Sequence, residues 1–155
     1  MSSARAQANQ GLYLAKIQLS GWRQVLAAQD IPAVTLTQAF LPAVREHLLV
    51  AYGWFLLELS GSEQLTGKPP RGCAGLPAVA AGKAVPGEIR EFQQLESEGW
   101  LAELLAEHDV PVRAAPLQGN LTVPSPELAN CEQVQQWIDK LEALFDRMSD
   151  SLDEY

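Results

Sequence analysis

The chain has 155 residues, 47 % hydrophobic and 19 % charged, which is enough apolar material for one packed core and too much for wholesale disorder. Eleven Lys and Arg against nineteen Asp and Glu give a net charge of −8, which excludes the basic footprint of a nucleic-acid-binding domain. The first 90 residues carry eight basic and five acidic side chains and the remainder three and fourteen, so the halves are able to attract each other within the fold or within a dimer. The plainer reading is a solvated acidic face.

From Ser3 to Gln29, Ala8, Leu12, Ala15, Leu19, Trp22 and Leu26 recur at steps of four and three, which places them on one helical stripe. Tyr13, Leu14, Ile17 and Val25 widen its apolar surface. Gly11 and Gly21 weaken the helix, yet each lets a neighbouring helix approach closely. Asp30-Ile31-Pro32 is a short break, with Asp30 a candidate cap and Pro32 suited to a first helical turn. So short a connection predicts an antiparallel helix pair. The second helix runs to Ser60 before Gly61, with Phe40, Val44, His47, Leu48, Ala51, Phe55 and Leu59 inward and a kink or restart expected at Leu41-Pro42. Its unbroken apolar run, Leu48 to Leu57, counts ten residues, half of the roughly 20 that a membrane span needs.

Residues 61–87 hold six glycines and four prolines and read as a long loop. A helical region from Pro86 to Glu107 follows, with Ile89, Phe92, Leu95, Leu101, Leu104 and Leu105 on its apolar side and a break at Ser97-Glu98-Gly99. Pro111, Pro116 and Pro124 make the next stretch extended or looped. Ser125 as N-cap and Pro126 as first residue open the last helix, whose stripe is Leu128, Cys131, Val134, Ile138, Leu141, Phe145, Met148 and Leu152. No segment sustains strand alternation. The expected fold is all-α: one domain over residues 1–155, four-helix-bundle-like, with long loops after helix two and before the C-terminal helix.

Few residues invite chemistry. His47 and Glu58 are the candidate polar groups of a pocket, but eleven residues of helix separate them by about 16 Å, so they cannot form one site alone. Glu58 is expected to pair with Arg23 or Lys16 of the first helix, or to face solvent. No Glu-x-x-His motif supports a carboxylate-bridged metal pair, and Cys73, Cys131, His47 and His108 lack zinc-finger spacing. No metal, cofactor or catalytic residue is therefore expected. Cys73, beside Arg71-Gly72 in the loop, is a candidate exposed and oxidisable thiol, against the reading of an inert one. Two cysteines 58 residues apart do not make a disulfide framework, and free thiols fit a reducing cytoplasm. Met1–Gln10 has one charge and no apolar stretch, so no secretory signal is expected.

Trp22, Trp54, Trp100 and Trp137 fall one per helical region, as core anchors or as a contact surface. Trp54 and Trp137 are the candidate interaction residues, Trp54 because its helix is apolar on nearly every side and is thus either central or in contact with another chain. Asn9-Gln10-Gly11-Leu12-Tyr13-Leu14-Ala15 followed by Trp22, the run closing at Glu58-Leu59-Ser60-Gly61, and the terminal Trp137, Leu141, Arg147 and Glu154-Tyr155 resemble a family of small bacterial helical proteins classed as a domain of unknown function. The resemblance implies a cytoplasmic helical protein and carries no known activity. The functional expectation is a non-enzymatic protein–protein interaction module or homodimer that binds neither nucleic acid nor membrane. The alternative is a small ligand-binding bundle or enzyme with a pocket under the 61–87 loop.

Overall fold

The computed structural model describes residues 3–60, 68–76, 87–106 and 129–153, with side chains through residue 150. Five α-helices are present among them: α1 (Ala4–Ala28), α2 (Ala33–Ser60), α3 (Gly87–Glu98), α4 (Trp100–Leu105) and α5 (Cys131–Asp153). A 3-10 turn covers Cys73–Gly75, and no strand occurs among the described residues.

Each helix end has a local cause. The Ser3 hydroxyl accepts a hydrogen bond from the Ala6 N–H and caps α1. Gln29 ends that helix in the left-handed region at φ 57°, its N–H bonded to the Leu26 carbonyl. The Pro32 carbonyl accepts from Leu36 and starts α2. Gly99, within the expected break, separates α3 from α4.

The restart expected as one outcome at Leu41-Pro42 does not occur: the second helix runs through it. Pro42 is exposed, so its ring meets solvent, while Leu41 and Val44 on either side are buried and hold the helix together by packing. The last helix begins at Cys131, and Asn130 caps it by accepting from the Gln133 N–H at 2.9 Å. The expected start at Ser125-Pro126 lies outside the described residues.

The helix directions follow from cross-helix partners. Along α1 and α2, Arg5 meets Glu58, Gly11 meets Ala51 and Trp22 stacks on Phe40, so one number falls as the other rises and the pair is antiparallel. The same reversal holds between α2 and α3–α4 (Phe55 with Phe92, Tyr52 with Glu96, Arg45 with Leu104) and between α3–α4 and α5 (Glu91 with Arg147, Glu103 with Gln133). It also holds between α1 and α5, where Lys16 meets Glu142 and Arg23 meets Gln135. With α3–α4 as a single bent third member, this is an up-down-up-down four-helix bundle.

Across the bundle, the Phe55 and Phe145 rings stack at 4.0 Å, and Phe92 meets Tyr52 and Phe55 edge-on at 5.2 and 6.3 Å. Helix α2 touches all four other helices, which explains its apolar surface: it is central, and twelve of its residues are buried. One contiguous hydrophobic cluster draws on every helix. No charged or amide side chain is buried among the described residues.

The opposite charge of the two halves is used inside the fold. Lys16 and Arg23 of α1 reach Glu142 and Glu132 of α5. These are surface pairs worth at most about 1 kcal/mol each, so they select partners more than they stabilise.

Candidate functional site

The polar side chains that converge most closely surround Tyr52. The apolar stripe of α2 holds Tyr52 inward at the contact with α3, and its hydroxyl donates to Glu96 Oε1. The same oxygen accepts the backbone N–H of Cys73 at 3.0 Å. The Tyr52 oxygen also lies 3.7 Å from Cys73 Sγ. Glu96 thus ties the 68–76 segment to two helices. Gly53 makes this seat possible, since a Cβ there would fall 2.2 Å from the Pro70 carbonyl oxygen. The spacing of these residues in sequence, 21 and 44 positions, gives no local signal for the cluster.

Cys73 is accordingly not the exposed, oxidisable thiol that its loop position suggested. It is buried at 8 % exposure, and desolvation pushes its thiol up to about 11. Burial, then the Glu96 carboxylate, pushes the Tyr52 phenol well above its ordinary value. Burial also raises the Cys131 thiol, partly offset by Arg23. Both cysteines are free and buried. A thiol kept protonated is a poor nucleophile and a poor metal ligand.

The sign of the linkage sets an expected pH dependence. The unfolded chain releases the Cys73 proton near pH 9, whereas the folded chain holds it to about pH 11. The stabilisation is complete below pH 9 and lost as pH rises through 11. A shift of about two pK units bounds the loss at roughly 3 kcal/mol. Urea unfolding followed at increasing alkaline pH should show this decline, and Cys73→Ala should make it shallower, leaving the part that the raised Cys131 and Tyr52 groups contribute.

Beside the cluster lies an open cleft of about 630 Å³ between α2, the 68–76 segment and the end of α4. Arg45, Glu46, Arg71 and Glu96 supply its charges. Each already has a partner. Arg45 donates to the Leu104 and Leu105 carbonyls at 2.9 and 3.0 Å, closing the C-terminal end of α4. Arg71 pairs with Glu46 at 2.6 Å, and Glu96 holds Tyr52 and Cys73. A ligand here would have to displace bonds that hold the fold.

Neither sequence-derived pocket residue lines this cleft. His47 is half-buried on α2, where its backbone carbonyl faces Gly11 of α1. Glu58 pairs with Arg5 at 3.4 Å, not with Arg23 or Lys16, because the antiparallel register brings the start of α1 to the end of α2. Among the described residues, no group of three or more His, Cys, Asp or Glu is placed to hold a metal ion.

The tryptophans proposed as a contact surface are occupied internally. Trp137 is 1 % exposed in the core, and Trp54 is half-buried and packed against it. The exposed apolar area lies elsewhere. Among the described residues, Tyr13, Ile17, Leu26, Ile31 and Val34 are the large hydrophobic residues exposed by more than a third, and all belong to α1 or its junction with α2.

A family model described as a family of unknown function, DUF6586, matches residues 1–155. The chain belongs to that family. No curated protein and no solved structure gives a match. Membership in DUF6586 brings no activity to the Tyr52 cluster or to the outer face of α1, so the function of either rests on its own geometry. Among the described residues, no helix of this DUF6586 chain is long and apolar enough to cross a membrane.

Proposed function

We propose that this DUF6586 chain is a non-enzymatic protein-contact module that works through the outer face of its N-terminal helical hairpin. The observation that carries the reading is that, among the described residues, the exposed large apolar side chains are confined to Tyr13–Val34 and the core holds no buried charge. Exposed apolar area gathered on one element is what a partner surface offers. Two free, buried thiols support a reducing, cytoplasmic setting for this activity.

A photo-reactive amino acid placed at position 17 in the living cell tests the reading, with position 93 on α3 as the exposed control. The expected result is one discrete adduct from position 17 and none from position 93. Equal yields from both positions, or no adduct from 17, would contradict it.

The second reading is a small-ligand site in the cleft, favoured by two arginines and two carboxylates converging there. It predicts a melting temperature raised by a charged metabolite and a loss of that rise in Arg71→Ala. An unmoved melting temperature across a broad panel removes it.

A further inference from the structure

Residues 68–76 lie against α2 and α3 without filling the core between the helices. Of the nine, Cys73 is buried, and the other eight are exposed or half-buried. The segment holds its own turn, since the Gly75 N–H bonds to the Gly72 carbonyl at 3.1 Å and the Leu76 N–H to the Cys73 carbonyl at 3.2 Å. Its described ties to the helices are mostly polar. The Cys73 N–H donates to Glu96 Oε1, the Cys73 thiol lies 3.9 Å from the Ile89 carbonyl, and Arg71 meets Glu46 at the surface. Leu76 adds apolar contact at the edge of the core. Gly53 is the one glycine of α2, and it lies where the Pro70 carbonyl crosses that helix. A glycine inside a helix weakens it, and here it leaves the room that the crossing needs.

We infer that residues 68–76 form a releasable strap, which lifts from α2 and α3 as a unit while the four-helix bundle stays folded. The inference goes beyond the α1 contact reading and does not depend on it. Two features carry it. The helices close one apolar cluster among themselves, to which the strap adds Cys73 and the edge contact of Leu76, so lifting it exposes little apolar surface. Opening also strands no buried polar group. Glu96 keeps the Tyr52 hydroxyl, because both belong to the bundle, and the Cys73 N–H passes to water. Arg71 and Glu46 are already solvated in the closed form, 59 % and 51 % exposed, so parting them costs little. Opening uncovers Gly53 and Tyr52 on α2 and frees Glu46 at the cleft. The cleft beside Tyr52 therefore has a closed form and an open one, and the bonds that close it are those of the strap.

The rate at which Cys73 reacts with iodoacetamide in the full chain tests this, on a Cys131→Ala background so that one thiol reports. A buried thiol is labelled through openings, and the urea dependence of the rate shows how much surface each opening exposes. Below the unfolding transition the expected rate is nearly independent of urea, because the strap opens without the bundle. Gly53→Ala should raise that rate by about tenfold or more without lowering the urea midpoint of the helical circular dichroism signal, since the added Cβ strikes the Pro70 carbonyl while α2 gains a better helix former. Glu96→Ala, which removes the acceptor of the Cys73 N–H, should raise it in the same direction. A rate that climbs from the lowest urea concentration with the slope of global unfolding, or no labelling short of that transition, overturns the strap, for the segment then opens only with the whole chain. A urea-independent rate that neither variant changes overturns Glu96 and Gly53 as its fastening.

Discussion

Trp137→Ala should destabilise the isolated chain by about 3–5 kcal/mol, which corresponds to a fall in melting temperature of roughly 10 °C or more. The indole is 1 % exposed on α5, inside the cluster that joins Val134, Ile138 and Leu141 to the other helices. Removing it loses its apolar burial and leaves a cavity that neighbours on several helices would have to collapse into. Trp54→Ala should cost clearly less, because that ring is half-buried and borders the core instead of filling it. Thermal unfolding monitored by circular dichroism compares the two. Equal and small losses would show that Trp137 is not held in the core.

The second large effect separates two glycines in one helix. Gly11→Ala should destabilise by about 1–3 kcal/mol, even though alanine is the better helix former. A Cβ at Gly11 would sit 2.8 Å from the Ala51 Cβ and 3.0 Å from the His47 carbonyl oxygen, so α1 and α2 would have to move apart. At Gly21 the nearest atom to an added Cβ is the Phe40 ring edge at 3.8 Å, an ordinary contact. Gly21→Ala should therefore stabilise, by up to about 1 kcal/mol. Urea unfolding of both variants gives the sign of each change. Like signs would contradict the close approach at Gly11.

The contrast shows what periodicity in a sequence can and cannot establish. The Ala8–Leu12–Ala15–Leu19–Trp22 stripe, the short Asp30–Pro32 connection and the break near Gly99 are local signals, and the helices formed where they indicated. Gly11 as a close-approach residue was also legible, but which helix it admits was not. The start of α5 at Cys131 is set by Asn130, an N-cap whose competition with other candidate caps is not settled by local sequence. At Pro42 the local penalty was legible, whereas the packing of Leu41 and Val44 that overcomes it is tertiary.

The sites were harder to read, for the same reason. Helix α1 holds two stripes at helical spacing, one through Leu12 and Leu19 and one through Tyr13 and Ile17. Only the number and position of neighbouring helices decide which stays exposed. Trp137 is an indole suited equally to a core or to an interface until the bundle closes around it. The partner of Glu58 depends on helix register, which sets Arg5 opposite it. Tyr52, Cys73 and Glu96 lie on three separate segments and meet only in the folded chain.

Fluorine NMR of the chain labelled with 3-fluorotyrosine tests most directly whether copies of the chain meet through the outer face of α1. The sequence has three tyrosines, Tyr13, Tyr52 and Tyr155, so Tyr13→Phe and Tyr52→Phe variants assign the spectrum. Tyr13 lies on the proposed face and Tyr52 is fully buried. As concentration rises from low micromolar to near-millimolar, the Tyr13 resonance should shift or broaden while that of Tyr52 stays fixed. A Tyr13 resonance unchanged over that whole range would contradict contact between copies of the chain through this helix.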